Sequence, residues 1–432
     1  MHNQSTLKQS GLSLAVDFGT TTINAALLDQ GSGAVLARAN ALNPQILYGC
    51  DIMTRLDQAN RNPESRRSLR EAGQSALRHL AETLCRQNGI VPDCITGGVI
   101  VTNTAMHHLL LGLDVAQLAA APYIPTVAEP RQIELALAGL PLIPFYFAPL
   151  IGGFVGSDAV AGILAAGLMD RDHSALLIDI GTNTEICLWH RGQLSVCSAP
   201  SGPAFEGGGI STGMRLGNGA VTGIRRHSNG AGALDTDEVH SALQLDVVGG
   251  GEAIGFCGTG LIDAISLLLE EQIIDAGGRI SRCGQIQPCG WPRRNGTMEV
   301  RFTDDLVLTQ EDIRKLQLAK GAVRSGIDIL MAEAGAKPGD LEYAILSGAF
   351  GSGLNPQSAV QIGLIPQSRV QLAGNTALAG AEMMAASKAA QQEGERIARV
   401  ARHIALAGRP DYFEHFLQAL NFADAQMRRS LR

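Results

Sequence analysis

The chain alternates short apolar runs with polar corners, and the spacing predicts an α/β protein. Residues 12–29, LSLAVDFGTTTINAALLD, read as an apolar strand, a polar corner and a second strand-like run over Thr22–Leu28. The turn Gly31-Ser32-Gly33 then leads to a third strand, Ala34–Ala41. Residues 175–190, ALLIDIGTNTEICLWH, repeat the first strand and corner. Between Thr309 and Ala332 the period lengthens to that of a helix, with Ile313, Leu316, Ala319, Val323, Ile327 and Leu330 on one face. A shorter apolar helix is predicted over Leu261–Glu270, and Ala344–Pro356 reads as a strand ending in a glycine turn. The uncharged stretch from Gly139 to Ser157 holds three prolines and several glycines, so it predicts a buried strand and loop, not a membrane span. An Ala/Gly-rich helix, Asp158–Met169, follows it. The pair His107-His108 lies on a helix, where adjacent residues point different ways, so one ring is expected in the core and the other on the surface.

Composition narrows the classes. With 432 residues the chain is long enough for two or three domains, and 45% hydrophobic against 17% charged residues excludes a disordered chain. The 51 glycines follow no G-X-Y period. The 34 basic and 41 acidic residues leave a net charge of −7, which argues against nucleic acid as a partner. The N-terminus is polar and has no signal core, no membrane association is expected, and the eight cysteines are scattered without a C-x-x-C, so a reduced, cytoplasmic protein is expected. Cys283 and Cys289 lie close together in a loop, with no zinc or iron–sulfur spacing.

The candidate chemistry lies in the repeat. A shift of 162 residues places Asp17 on Asp179, Gly19 on Gly181, Thr20 on Thr182 and Thr22 on Thr184. Each copy is an apolar strand delivering D-x-G-T-x-T to its end. There the Asp can hold a hydrated divalent cation, the Gly lets the backbone approach an anion, and Thr hydroxyls add donors beside backbone N–H groups. The repeat distance is that of a duplicated domain, not of a solenoid. No Walker A sequence is present. Further glycine turns follow at 201–210 (SGPAFEGGGI), 248–261 (VGGGEAIGFCGTGL) and 344–356 (AILSGAFGSGLNP).

This order of motifs resembles the ASKHA superfamily of acetate and sugar kinases, heat-shock chaperones and actin, with residues 97–112 similar to its first connecting segment and 344–353 to its adenosine motif. Within it the chain is most similar to the ATP-dependent reductive activators of corrinoid proteins, through residues 43–55 (NPQILYGCDIMTR), 202–215 (GPAFEGGGISTGMR), 255–263 (GFCGTGLID), 317–322 (QLAKGA) and 348–363. The resemblance covers roughly residues 12–425. It implies two ribonuclease-H-like halves, 12–170 and 171–425, around a nucleotide cleft, with tails at 1–11 and 426–432. It implies ATP and Mg²⁺ as cofactors. Asp17 and Asp179 would hold Mg²⁺ through water. Gly19, Thr20, Thr21, Gly181, Thr182 and Asn183 would cradle phosphates, joined by Gly208 and Gly209. Gly348, Ala349 and Phe350 would flank adenosine, with Lys320 reaching from the preceding helix. Glu185 would orient the attacking water. These activators commonly carry an iron–sulfur module. The first strand here begins near Leu12 and no cysteine cluster is present, so no cluster is expected, and a separate reductase or ferredoxin would supply the electron to a partner corrinoid protein. A homodimer is compatible with this picture. A small-molecule kinase on the same fold would need a base such as Asp158, Glu185 or Glu206, and a chaperone-like ATPase would need an appendage larger than the roughly 50 residues after Ala381.

Overall fold

The computed structural model describes residues 11–136, 142–226, 243–280, 291–292, 298–348 and 353–423. The chain divides into two compact units. The first comprises Met1–Asp172, Cys187–Cys197 and Asn375–Ile404, and the second His173–Ile186, Ser198–Gly374 and Ala405–Arg432.

The first unit is built on β1 (Leu12–Phe18), β2 (Thr22–Asp29), β3 (Val35–Leu42), β4 (Ile95–Thr102), β5 (Arg131–Ala136) and β6 (Leu142–Phe147), in the sheet order β3-β2-β1-β4-β6-β5. β1 pairs antiparallel with β2 and parallel with β4, with Asp17 opposite Asn24 on one side and Val101 on the other. After α1 (Ile52–Arg61) comes the long helix α2 (Pro63–Gln87), which starts where Asn62 caps Ser65 and Pro63 takes the first helical position. Its Leu69, Leu77, Leu80 and Leu84 join Leu14, Val16, Phe18, Ile23 and Leu27 in the core. Each such side chain contributes about 1.5–3 kcal/mol on burial. Two further helices of the unit, α4 (Ser157–Ala165) and α8 (Thr376–Ala386), meet so closely that a Cβ on Gly380 would lie 2.1 Å from the Ala161 carbonyl oxygen.

The helix α3 (Thr104–Leu111) overturns the expectation for the histidine pair, because both rings are fully buried. His108 Nδ1 lies 2.8 Å from the Thr104 carbonyl and its Nε2 accepts from the Thr126 amide at 3.1 Å. His107 packs edge-on to Phe147, and neither ring nitrogen has a hydrogen-bond partner among the described residues. α3 is apolar all round, so it has no wet face on which to place the second ring. Burial, with His108 and Arg131 adding to it, pushes the His107 imidazole down to about 3. The unfolded chain therefore takes up a proton near pH 6.5 that the native state refuses, and stability falls as pH drops from about 6.5 toward 3, by up to about 1.4 kcal/mol per pH unit. His107→Phe is expected to flatten that acid limb and to raise stability at neutral pH by about 1–2 kcal/mol, since it removes two buried polar atoms without partners. Urea unfolding between pH 4 and 7 measures both effects.

A second sheet repeats the plan. β7 (Ser174–Ile180), β8 (Thr184–His190), β9 (Gln193–Ala199), β16 (Leu341–Gly348), β17 (Arg369–Leu372) and β18 (Arg402–His403) follow the order β18-β9-β8-β7-β16-β17, in which β9-β8-β7-β16-β17 matches β3-β2-β1-β4-β6. The 162-residue shift carries β1 onto β7 residue for residue. Two small sheets are added. One has the order β11-β10-β12, from β10 (Ala220–Arg226), β11 (Leu243–Val247) and β12 (Gly255–Phe256). The other has the order β13-β14-β15, from β13 (Trp291–Pro292), β14 (Met298–Arg301) and β15 (Val307–Thr309). Helix α5 (Gly258–Glu270) starts three residues before the predicted Leu261. Helix α6 (Gln310–Glu333) fits its prediction, and Thr309 and Asp312 form a reciprocal capping box at its start. The second unit also holds α7 (Pro356–Gln361) and α10 (Tyr412–Leu420). The helix α9 (Lys388–Val400) belongs to the first unit. No helix among the described residues is long and apolar enough to cross a membrane.

Candidate functional site

The first D-x-G-T turn is tight because the Gly19 amide donates to the Thr22 carbonyl at 3.1 Å, and a Cβ on Gly19 would lie 2.6 Å from that oxygen. Its other carbonyls are tied off from behind. Asn43 Nδ2 donates to Gly19 O at 2.9 Å, the Asn43 amide to Thr21 O at 2.8 Å, and Arg55 Nη1 to Thr20 O at 2.7 Å. The Thr20 hydroxyl accepts from Asn103 Nδ2 at 2.9 Å. With these carbonyls engaged, the turn is suited to offering N–H groups and the Thr20 and Thr21 hydroxyls to an anion.

Asp17 stands at the end of β1, partly buried. Asn24 Nδ2 and Asn375 Nδ2 donate to the same oxygen, Oδ2, at 3.0 and 2.9 Å. Asn375 also caps α8 by accepting from the Leu378 amide, so Asp17 stands at the positive end of that helix. Burial raises the Asp17 pKa against the lowering effect of the two amides, Asn375 the larger. A carboxylate in this setting gains from a cation. The donor set, one acid with a single oxygen held by neutral amides, fits a hydrated divalent ion.

In the second turn the same task falls to other residues. Ser201 Oγ donates to Gly181 O at 2.9 Å and is 3.2 Å from Thr182 O, the Gly202 amide donates to Thr182 O at 2.9 Å, and Thr184 Oγ1 is 2.8 Å from Ser201 Oγ. Thr182 Oγ1 donates to Glu206 Oε1 at 2.9 Å. Asp179 Oδ2 accepts from Ser347 Oγ at 3.2 Å. Gly348, with φ of 77°, lies against Asp179, since a Cβ there would stand 2.4 Å from Oδ1. Asn183 is at the turn, and Glu185 on β8 accepts from Ser198 Oγ at 3.2 Å.

Gly208 and Gly209 lie in a loop braced by α6. The buried Asp312 carboxylate accepts from the Ser211 amide at 2.9 Å and its hydroxyl at 3.2 Å, while its other oxygen caps Thr309. Lys315 Nζ donates to Gly209 O at 2.7 Å. Asp312→Ala is expected to cost about 2–4 kcal/mol, because it strands several donors around one buried anion. Thermal melting reads this directly.

Lys320 is placed differently from its neighbour Lys315. It is buried, its Nζ donates to the Asn421 carbonyl and lies 5.4 Å from the centre of the Phe422 ring. Burial lowers it to about 7. Gln317, one turn earlier, donates to Leu420 O at 3.0 Å, so QLAKGA holds the end of α10. Ala349, Phe350, Cys283 and Cys289 lie outside the described residues.

Sequence reasoning missed Asn43, Arg55 and Asn103 behind the first turn, Ser201 behind the second, and Asn24, Asn375 and Ser347 on the aspartates. Asn43 and Arg55 close the 43–55 segment and Asn103 lies in 97–112, so a signal existed for those three. Asn375 is 358 residues from Asp17, and nothing along the chain links them.

Family models match nearly the whole chain: the C-terminal domain of RACo, the ASKHA domain, over residues 173–431, and the RACo middle region over 12–171. The chain belongs to the RACo family. Its duplicated sheets are therefore the two halves of an ASKHA fold. The chain is 32% identical to the corrinoid activation enzyme RamQ of Eubacterium limosum over 96% of its own length and 71% of the relative's. It is 29% identical to the [Co(II) methylated amine-specific corrinoid protein] reductase of Methanosarcina barkeri over 63% of this chain and 51% of that one. Among solved structures, a reductive activator for a corrinoid, iron–sulfur protein superposes with a TM-score of 0.83 at 30% identity, covering 96% of this chain. This RACo-family chain spans 66% of that activator's length.

Proposed function

We propose that this chain is an ATP-dependent activator that returns a partner corrinoid protein from Co(II) to Co(I), with the electron supplied by a separate one-electron donor, a reductase or ferredoxin. The observation that carries the nucleotide half is the doubled turn, in which two Asp-x-Gly-Thr corners have their carbonyl sides tied off by polar side chains and backbone amides. The relatives named for corrinoid activation support the choice of partner.

Asp17 and Asp179 would hold Mg²⁺ through its waters. Gly19, Thr20, Thr21, Gly181, Thr182 and Asn183 would bind phosphate oxygens, with Gly208 and Gly209 adding amides from the braced loop. Gly348, Ala349 and Phe350 would flank the adenosine, and Glu185 would orient water for hydrolysis. Lys320 would reach toward the adenosine from α6. When bound, Mg²⁺ supplies charge neutralisation at the phosphates. ATP drives reduction only if it binds one conformation of the activator–corrinoid complex better than the other, and hydrolysis then resets the cycle.

The test follows Co(II) absorbance anaerobically in a cognate corrinoid protein with a chemical donor present. The rate is expected to depend on this chain and on ATP with Mg²⁺ together. A rate indifferent to ATP would sink the proposal, and phosphate transfer to a metabolite would replace it with a kinase.

A further inference from the structure

Arg55 is the fourth residue of α1 and is fully buried. Nε donates to Gly49 O at 2.8 Å, Nη1 donates to Thr20 O at 2.7 Å, and the same Nη1 lies 3.5 Å from Met106 Sδ. Nη2 is buried with no hydrogen-bond partner among the described residues. No carboxylate bonds the guanidinium among those residues. Asp51, the acid that acts on it through space, is half-buried and occupied with capping Thr54. Position four of a helix is also near its positive end, which disfavours a cation. A buried charge this poorly compensated is costly.

The second turn is an internal control. Its carbonyls are tied by the neutral Ser201 hydroxyl and Gly202 amide, so the turn geometry alone needs no cation. What Arg55 adds over Ser201 is charge, placed directly behind Thr20. We propose that Arg55 is a positioning residue that also serves as the electrostatic backing of the first turn, holding a positive charge behind its amides so that this turn favours the most highly charged form of the nucleotide. This rests on the phosphate-binding role of the turn proposed above. Burial lowers the guanidinium only to about 10, so it stays protonated at neutral pH.

The test titrates ATP, ADP and AMP, each with Mg²⁺, into the wild-type chain and into Arg55→Met, Arg55→Gln and Arg55→Lys. A unit charge a few ångströms behind the turn, at an effective dielectric of about 20, shifts the affinity of a polyanion by about tenfold or more. Arg55→Met is expected to weaken ATP by at least that factor, ADP less and AMP least, while Arg55→Lys restores most of the ATP affinity. Arg55→Gln, which keeps a donor without the charge, should show the same graded loss and serves if the Met variant does not melt cooperatively. Equal losses for all three nucleotides would make Arg55 purely structural and overturn the inference, as would unchanged ATP binding. Absence of nucleotide binding by the wild-type chain would instead overturn the phosphate-binding proposal itself, and this one with it.

Discussion

Asp17→Ala is expected to abolish ATP-dependent reduction of the corrinoid cobalt, lowering its rate more than about 100-fold, while the melting transition moves little. The large effect comes from removing the charge that would hold a hydrated Mg²⁺ against the phosphates. The small one comes from two terms that oppose each other. Deleting a partly buried carboxylate relieves its desolvation, but it strands the amides of Asn24 and Asn375, and the balance lies within about 1 kcal/mol. Asp17→Asn should match the loss of activity, which separates charge from shape. Isothermal titration is expected to show the same loss of Mg–ATP binding. Burial holds the Asp17 pKa above the ordinary carboxylate value, so protons compete with the cation at higher pH than usual, and Mg²⁺ affinity falls as pH drops through that raised pKa. A variant that loses ATP dependence only through unfolding, visible in the melt, would refute the assigned role.

Gly348→Ala is the second large effect. The residue has φ of 77°, where a Cβ is strained, and that Cβ would stand 2.4 Å from Asp179 Oδ1 and 3.0 Å from Ile180 O. Asp179 must move or the strand end must open. A stability loss of about 2–4 kcal/mol is expected, together with loss of nucleotide binding comparable to Asp179→Ala. Gly192→Ala is the control: its φ is 78° but no described atom beyond its chain neighbours lies within 4 Å of the added Cβ, so only the backbone term, about 1 kcal/mol, should appear. Equal effects at the two glycines would show that the contact with Asp179 is irrelevant.

Much of this architecture was written along the chain. The 162-residue repeat of D-x-G-T-x-T predicts β1 and β7, and both carry their aspartate at the same position near the strand end. The apolar period of 309–332 predicts α6 to within a residue at each end. These features were legible because strand alternation, glycine turns and helical periods are local, and each is set by a few neighbouring side chains.

What only the tertiary structure decided is which residues stand behind those motifs. Asn375 reaches Asp17 because α8 of the first unit begins beside β1. Arg55 and Asn43 reach the first turn because the 43–55 segment folds back beneath it, whereas the second turn, nearly identical in sequence, is held by Ser201 and Gly202. His107 and His108 are both buried, although helical geometry alone would have parted them, because α3 is enclosed on all sides. Lys320 finds the partner of its buried Nζ in the Asn421 carbonyl, 101 residues further along the chain. In each case a strong local pattern fixes the backbone, but the partner of a buried polar atom is whichever group packing brings within about 3 Å, and that proximity is not encoded in any short stretch of chain.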